Sequence, residues 1–236
     1  MRVGASIIIK NGIAVQSYNW TLTRPFGSLS TIIKELDEYQ CDEIAILRYV
    51  RAREPFIDLK TDLQNIGKIA SSSPISLGGG IRELSHLNYL ANLPIERVIF
   101  SSIFLSQKVH IINELISNLG RQAIQCLLPV QIDNNSLYVL NLEKNMKIEI
   151  SNIDFSFLEK YANELIIYDT NNDGRSNSFN FEILDKIRFP LKRLVLTGGI
   201  GLRCAWRAKA MGIASILIDN KVLHSEYSIE NFKRLK

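Results

Sequence analysis

Short runs of Ile, Val and Leu recur eight times along the chain with amphipathic stretches between them, and this alternation constrains the fold more than any other feature. Brief apolar runs with polar boundaries suit strands buried on both faces, and such strands need helices to cover them. The runs begin near Arg2, Glu43, Pro74, Arg97, Ala123, Glu164, Arg193 and Ile213. Between them the apolar spacing predicts helices over residues 30–39, 58–71, 85–92, 108–119, 155–163, 181–188, 202–211 and 228–235. Eight such units in 236 residues match one α/β domain over 1–236, a (β/α)8 TIM barrel.

An internal repeat supports the barrel. Gly78-Gly79-Gly80-Ile81 recurs as Gly198-Gly199-Ile200-Gly201, and Glu43-Ile-Ala-Ile-Leu recurs as Glu164-Leu-Ile-Ile-Tyr, each about 120 residues later. A doubly wound open sheet would give the same alternation, but four βα units per repeat suit half-barrels of about 1–120 and 121–236 that close on each other. Two long non-helical insertions, 11–29 and 130–152, follow the first and fifth strands. The second has apolar runs at 137–142 and 146–150 around Glu143-Lys144-Asn145, which reads as a hairpin. Both insertions fall at the carboxyl ends of strands, where barrel active sites are built.

Composition narrows the function classes. Hydrophobic residues at 46% and charged residues at 22% exclude a disordered chain. The net charge of +4 is spread without a long basic run, so no nucleic acid or membrane partner is indicated. No apolar run approaches the roughly 18 residues of a membrane span, and the amino terminus lacks a signal-peptide pattern. Cys41, Cys126 and Cys204 are odd in number and widely spaced, as expected of a cytoplasmic protein without a cysteine metal site. No cofactor is indicated.

Polar groups gather where strands end: Gly78-Gly79-Gly80, Ser101-Ser102, Asn172-Asp173-Gly174 and Thr197-Gly198-Gly199. Gly201 and Asp219-Asn220 complete the set. Glycine here lets backbone N–H groups approach an anion, although glycine also simply permits a tight turn. Taken as anion sites, Gly80, Ser101 and Ser102 form one cluster, and Asp173, Gly174, Gly199, Gly201, Asp219 and Asn220 form another.

These motifs in this order, with Lys10-Asn11-Gly12, Asp42-Glu43, Ile81-Arg82, Gln122-Ala123-Ile124 and Glu226-Tyr227-Ser228-Ile229, resemble the HisA/HisF family over essentially the whole chain. The chain looks most like the family's imidazole glycerol phosphate synthase cyclase branch. That resemblance implies a mouth that binds a two-phosphate substrate, and a glutaminase on the opposite face that sends ammonia through the barrel. It also implies two catalytic aspartates, at positions held here by Ile8 and Pro129, neither of which carries a proton. The family's lysine after strand 1 is Gln16, and the acidic residue ending strand 2 is Arg48. Asp169, Asp173 and Asp219 are the candidates for a relocated acid.

The amino-terminal face keeps the family pattern. Arg2, Glu43, Arg97 and Glu164 match its charged ring, the ammonia gate, and Glu96 matches an acidic residue that meets the glutaminase. A chain that loses the synthase acids and keeps the gate looks like the WbuZ-type branch, associated with glycosyl amidation. The resemblance then implies a HisH-like glutaminase partner, a sugar amidotransferase and a phosphate-bearing small molecule at the mouth. Alternatives are a synthase with relocated acids and a barrel that only activates its glutaminase. Arg48, Arg51, Arg53 and Arg82 could recognise an anion at the mouth or form a solvated loop; His86, His110 and His224 have no ligand spacing, and Trp20 and Trp206 have no assigned place.

Overall fold

The computed structural model describes residues 1–50, 56–90, 92–219, 223 and 227–234. In chain order the elements are β1 (Arg2–Lys10), β2 (Ile13–Tyr18), β3 (Leu22–Gly27), α1 (Leu29–Glu38), β4 (Ile44–Arg48), α2 (Phe56–Ile66), β5 (Ile75–Gly78), β6 (Arg97–Phe100), α3 (Ser102–Leu105) and α4 (Val109–Leu119). They continue as β7 (Ile124–Asp133), β8 (Ser136–Asn141), β9 (Met146–Glu149), α5 (Phe155–Tyr161), β10 (Glu164–Asp169), β11 (Leu194–Thr197), α6 (Leu202–Ala210), β12 (Ser215–Asp219) and α7 (Ile229–Lys233).

Eight of these strands, β1, β4, β5, β6, β7, β10, β11 and β12, pair in parallel in that order, and β12 returns to β1. These eight strands therefore form a closed (β/α)8 barrel. Alternation along each strand sorts the apolar residues into two cores. Ile7, Ile46, Leu77, Val98, Leu128, Ile167, Leu196 and Ile216 face outward under the helices. Ile8, Leu47, Ile99, Leu127, Ile166, Val195 and Leu217 fill the barrel. Helix α1 illustrates the outer layer: Ser28 caps it by accepting from the Thr31 N–H at 3.2 Å, and Leu29, Ile32, Ile33 and Leu36 pack inward.

The register of the repeat differs by one residue from the one that the glycine triplets suggest. Ile75 of β5 aligns with Leu194 of β11, so Gly79 and Gly80 (φ 97° and 80°) match Gly198 and Gly199 (φ 88° and 79°). Two predicted helices, after β5 and β10, are instead 3-10 turns at Leu84–Tyr89 and Phe181–Lys186. Both insertions are hairpins. β2 and β3 form the first, and β7 runs on to Asp133 and pairs with β8, which pairs with β9.

Candidate functional site

At the amino-terminal mouth, inward-facing residues at strand starts form a bonded ring. The Glu43 carboxylate accepts from Arg2 Nε at 3.2 Å, from an Arg97 guanidinium nitrogen at 2.8 Å and from the Ser215 hydroxyl. Glu164 accepts from Arg2 at 2.5 Å and from Gln125 Nε2 at 2.8 Å. The two carboxylates are buried and the two arginines lie at the solvent side. Burial pulls the Arg2 guanidinium down, but Glu43 and Glu164 outweigh it and hold the group above its ordinary value. The structure thus brings together Arg2, Glu43, Arg97 and Glu164 and adds Gln125 and Ser215. Glu96, next to the ring on the chain, is exposed.

The six residues occupy corresponding strands of the two halves. Arg2, Glu43 and Arg97 belong to β1, the start of β4 and β6, and Gln125, Glu164 and Ser215 belong to β7, β10 and β12. Where the first half has two arginines, the second has two neutral donors. Sequence reading overlooked Gln125 and Ser215 because neither is charged; their inward parity was the available signal.

The carboxyl-terminal mouth is built differently. Ile8 and Pro129 line a cavity of about 80 Å³ together with Trp20, Leu47, Tyr49, Leu127 and Leu142. That is small beside the roughly 300–1,000 Å³ of pockets for drug-sized ligands. Gly80, Ser101, Ser102, Arg82 and Glu143 supply its polar wall. Glu143 comes from the β8–β9 turn; its Oε1 lies 3.7 Å from Lys108 Nζ, and its Oε2 is buried with no hydrogen-bond partner among the described residues. His86 Nδ1 accepts from the Arg82 N–H at 3.3 Å, which joins the glycine turn to the following 3-10 turn. His110 is exposed on α4.

Several polar candidates have structural partners instead. Arg48 pairs with Asp62 of α2 at 2.8 Å, both side chains being buried, and also lines the mouth cavity, so it is not part of a solvated loop. Asp173 accepts from the Tyr168 hydroxyl at 2.7 Å and from the Trp20 N–H at 3.2 Å. These bonds draw the β2–β3 hairpin over the mouth, where Trp20 meets Tyr168 edge to face at 4.7 Å. Asp169 accepts from Asn172 Nδ2 at 2.8 Å and the Asn180 N–H at 2.9 Å, although burial still pushes its carboxyl above the ordinary range.

The second glycine cluster is packed against protein. A Cβ on Gly174 would lie 2.6 Å from the Ser17 carbonyl oxygen and from Tyr18, and one on Gly201 would lie 2.4 Å from Asn177 Oδ1. Asn177 Oδ1 accepts from the Arg203 N–H at 2.8 Å and so caps α6, whose N-cap residue Gly201 has no side chain to do so. Gly199 accepts at its carbonyl from the Ser178 and Phe179 N–H groups. Asp219 ends β12 at the same mouth. Asn220, Arg51, Arg53, His224 and Glu226 lie outside the described residues.

Burial pushes the Cys41 thiol up to about 12 and raises Cys126 as well, so neither is a thiolate near neutral pH. Among the described residues no group of His, Cys, Asp and Glu is arranged to hold a metal ion, and no helix is long and apolar enough to cross a membrane. Trp206 is exposed on α6.

Comparison with known proteins agrees with this architecture. The family model described as histidine biosynthesis protein matches residues 2–226. The chain is 23% identical to imidazole glycerol phosphate synthase subunit HisF of an Exiguobacterium strain over 235 residues, which is 95% of this chain and 91% of that one. It is 22% identical to the subunit of the same name from Azobacteroides pseudotrichonymphae over 243 residues, 100% of this chain and 94% of that one. A phosphoribosyl imidazole-4-carboxamide isomerase of Buchnera aphidicola is 23% identical over 228 residues, 93% of this chain and 92% of that one. With a repeated (β/α)8 barrel and a family match over nearly its whole length, the chain belongs to the HisA/HisF family of histidine biosynthesis proteins.

Proposed function

We propose that this barrel is an ammonia-delivering subunit of a cytoplasmic glutamine amidotransferase complex. A HisH-like glutaminase docks at the amino-terminal face against Glu96 and the ring. Ammonia then passes through the gate of Arg2, Glu43, Arg97 and Glu164, and a sugar amidotransferase uses it on a nucleotide sugar for surface polysaccharide. This is the role of a WbuZ-type relative. One contrast carries the reading: Arg2, Glu43, Arg97 and Glu164 are bonded in one continuous chain, while Ile8 and Pro129 stand where the family's synthase has its acid and base.

Ammonium is charged and would lose its hydration in the apolar barrel, so the species that crosses is neutral ammonia. The ring carries two positive and two negative side chains, which neutralise one another and leave no net charge to trap a passing molecule. At the mouth, a phosphate-bearing molecule fits best at Gly80, Ser101 and Ser102, which line the open cavity. The Asp173, Gly174, Gly199 and Gly201 side would receive an anion only after the β2–β3 hairpin and Asn177 withdrew.

Cyclisation of the synthase substrate is not expected, because each lost acid or base is worth on the order of 10² to 10⁴ in rate. The test combines the barrel with a HisH-like glutaminase and a sugar amidotransferase. Amidation driven by glutamine should require the barrel, and the barrel supplied with ammonium and the synthase substrate should give no cyclised product. Cyclisation at ordinary enzymatic rates would instead establish a synthase with a relocated acid. A second reading, glutaminase activation without transport, draws on the side chains that cross-link the amino-terminal mouth; it predicts that free ammonium replaces glutamine with no loss of rate.

A further inference from the structure

Gln125 projects into the barrel from β7 and is 2% exposed. Its Nε2 donates to Glu164 Oε2 at 2.8 Å, and that bond fixes how the carboxamide lies, because the reversed amide would set its oxygen against a carboxylate. The oxygen is thereby turned away from Glu164. It is buried and has no hydrogen-bond partner among the described residues. A buried acceptor in this condition weakens a fold unless something donates to it. The next layer supplies no donor side chain near it: Ile99 lies opposite Gln125 in the β6–β7 register, and Leu127 follows on the same face of β7.

We propose that Gln125 Oε1 is the hydrogen-bond acceptor that receives ammonia on the inner side of the ring, a positioning residue for its passage. The inference rests on the delivery reading above and adds a residue to it. Ammonia brings three N–H donors into a space walled by Ile and Leu. An amide oxygen accepts one of them without the full negative charge that would favour ammonium. The corresponding strand of the first half carries Arg2, a donor with nothing to offer an N–H group, so the two halves differ at this position. No proton is transferred and no bond is broken in this step. A water molecule can meet the same acceptor between passages.

The test uses the full complex of barrel, glutaminase and amidotransferase, with glutamine labelled at its amide by nitrogen-15 and unlabelled ammonium in solution. Gln125→Leu removes the acceptor together with the Nε2 donor to Glu164, and Gln125→Met does so with an unbranched chain should Leu prove hard to pack. Either variant should form labelled product about 2- to 10-fold more slowly, the range expected for one lost hydrogen bond. The labelled fraction of the product, the ammonium-driven rate and the affinity for the glutaminase should stay unchanged. A falling labelled fraction would mean that Gln125 only seals the ring against outside ammonia, and wild-type rates in both variants would mean that its oxygen does not act; each result overturns the proposal. If the unaltered barrel gives product with no label from glutamine, the delivery reading fails first, and this inference with it.

Discussion

At the amino-terminal mouth the first half-barrel contributes Arg2, Glu43 and Arg97, and the second contributes Gln125, Glu164 and Ser215 from the corresponding strands. At the carboxyl-terminal mouth the first half leaves Gly80, Ser101 and Ser102 on an open cavity, whereas the second buries Gly174 under the β2–β3 hairpin and Gly201 under Asn177. The paired glycines keep matched positive φ angles in the two halves. What differs is how each half satisfies its polar groups. Repeating the arginines in both halves would place four guanidinium groups around two carboxylates, a net charge that a half-buried mouth tolerates poorly. Neutral donors at Gln125 and Ser215 keep the ring balanced.

The largest effect should come from the brace of the first half. Asp62→Ala removes a carboxylate paired with Arg48, whose side chain is 2% exposed, and leaves the burial of the guanidinium less well compensated. Such losses cost about 3–5 kcal/mol, read as a fall in the urea midpoint. A change below about 1 kcal/mol would place the pair with weak surface bridges and remove it as the reason the first half holds its shape.

A smaller effect is expected in the second half. Asn177→Gly keeps the backbone comfortable at φ 57° but deletes the cap on α6. The loss should be about 0.5–2 kcal/mol, as for other N-caps. The exposed helix N-terminus should then make added sulfate stabilise the variant more than the parent chain, by thermal denaturation. Equal responses to sulfate would show that Asn177 is not what closes the second cradle.

Periodicity carried the barrel well, because buried parallel strands leave uninterrupted Ile, Val and Leu runs whose starts fall within a residue or two of the observed ones, although β7 runs five residues past its expected end. The β2–β3 hairpin was harder to read. Its turn places Asn19 and Trp20 at φ 51° and 55°, and Thr21 N–H donates to the Tyr18 carbonyl at 3.1 Å. Asn at the first turn position is a usable signal, but Trp occupies the place where glycine normally marks such a turn. The charged ring residues were legible as polar interruptions at strand starts. The fate of Asp169, Asp173 and Arg48 was not, since a carboxylate or guanidinium at a strand end looks the same in sequence whether it faces a ligand or braces a loop.

The proposed delivery of ammonia is tested most directly at Glu164, the carboxylate that joins Arg2 of the first half to Gln125 of the second. Glu164→Ala should be assayed in the reconstituted complex with glutamine and, separately, with ammonium, while its affinity for the glutaminase is measured in parallel. With the glutaminase saturating, the glutamine-driven rate should fall on the order of tenfold, a barrier change of only about 1.4 kcal/mol, while the ammonium-driven rate holds. Equal rates on glutamine for the variant and the parent chain would contradict delivery and leave the barrel as an activator of its glutaminase.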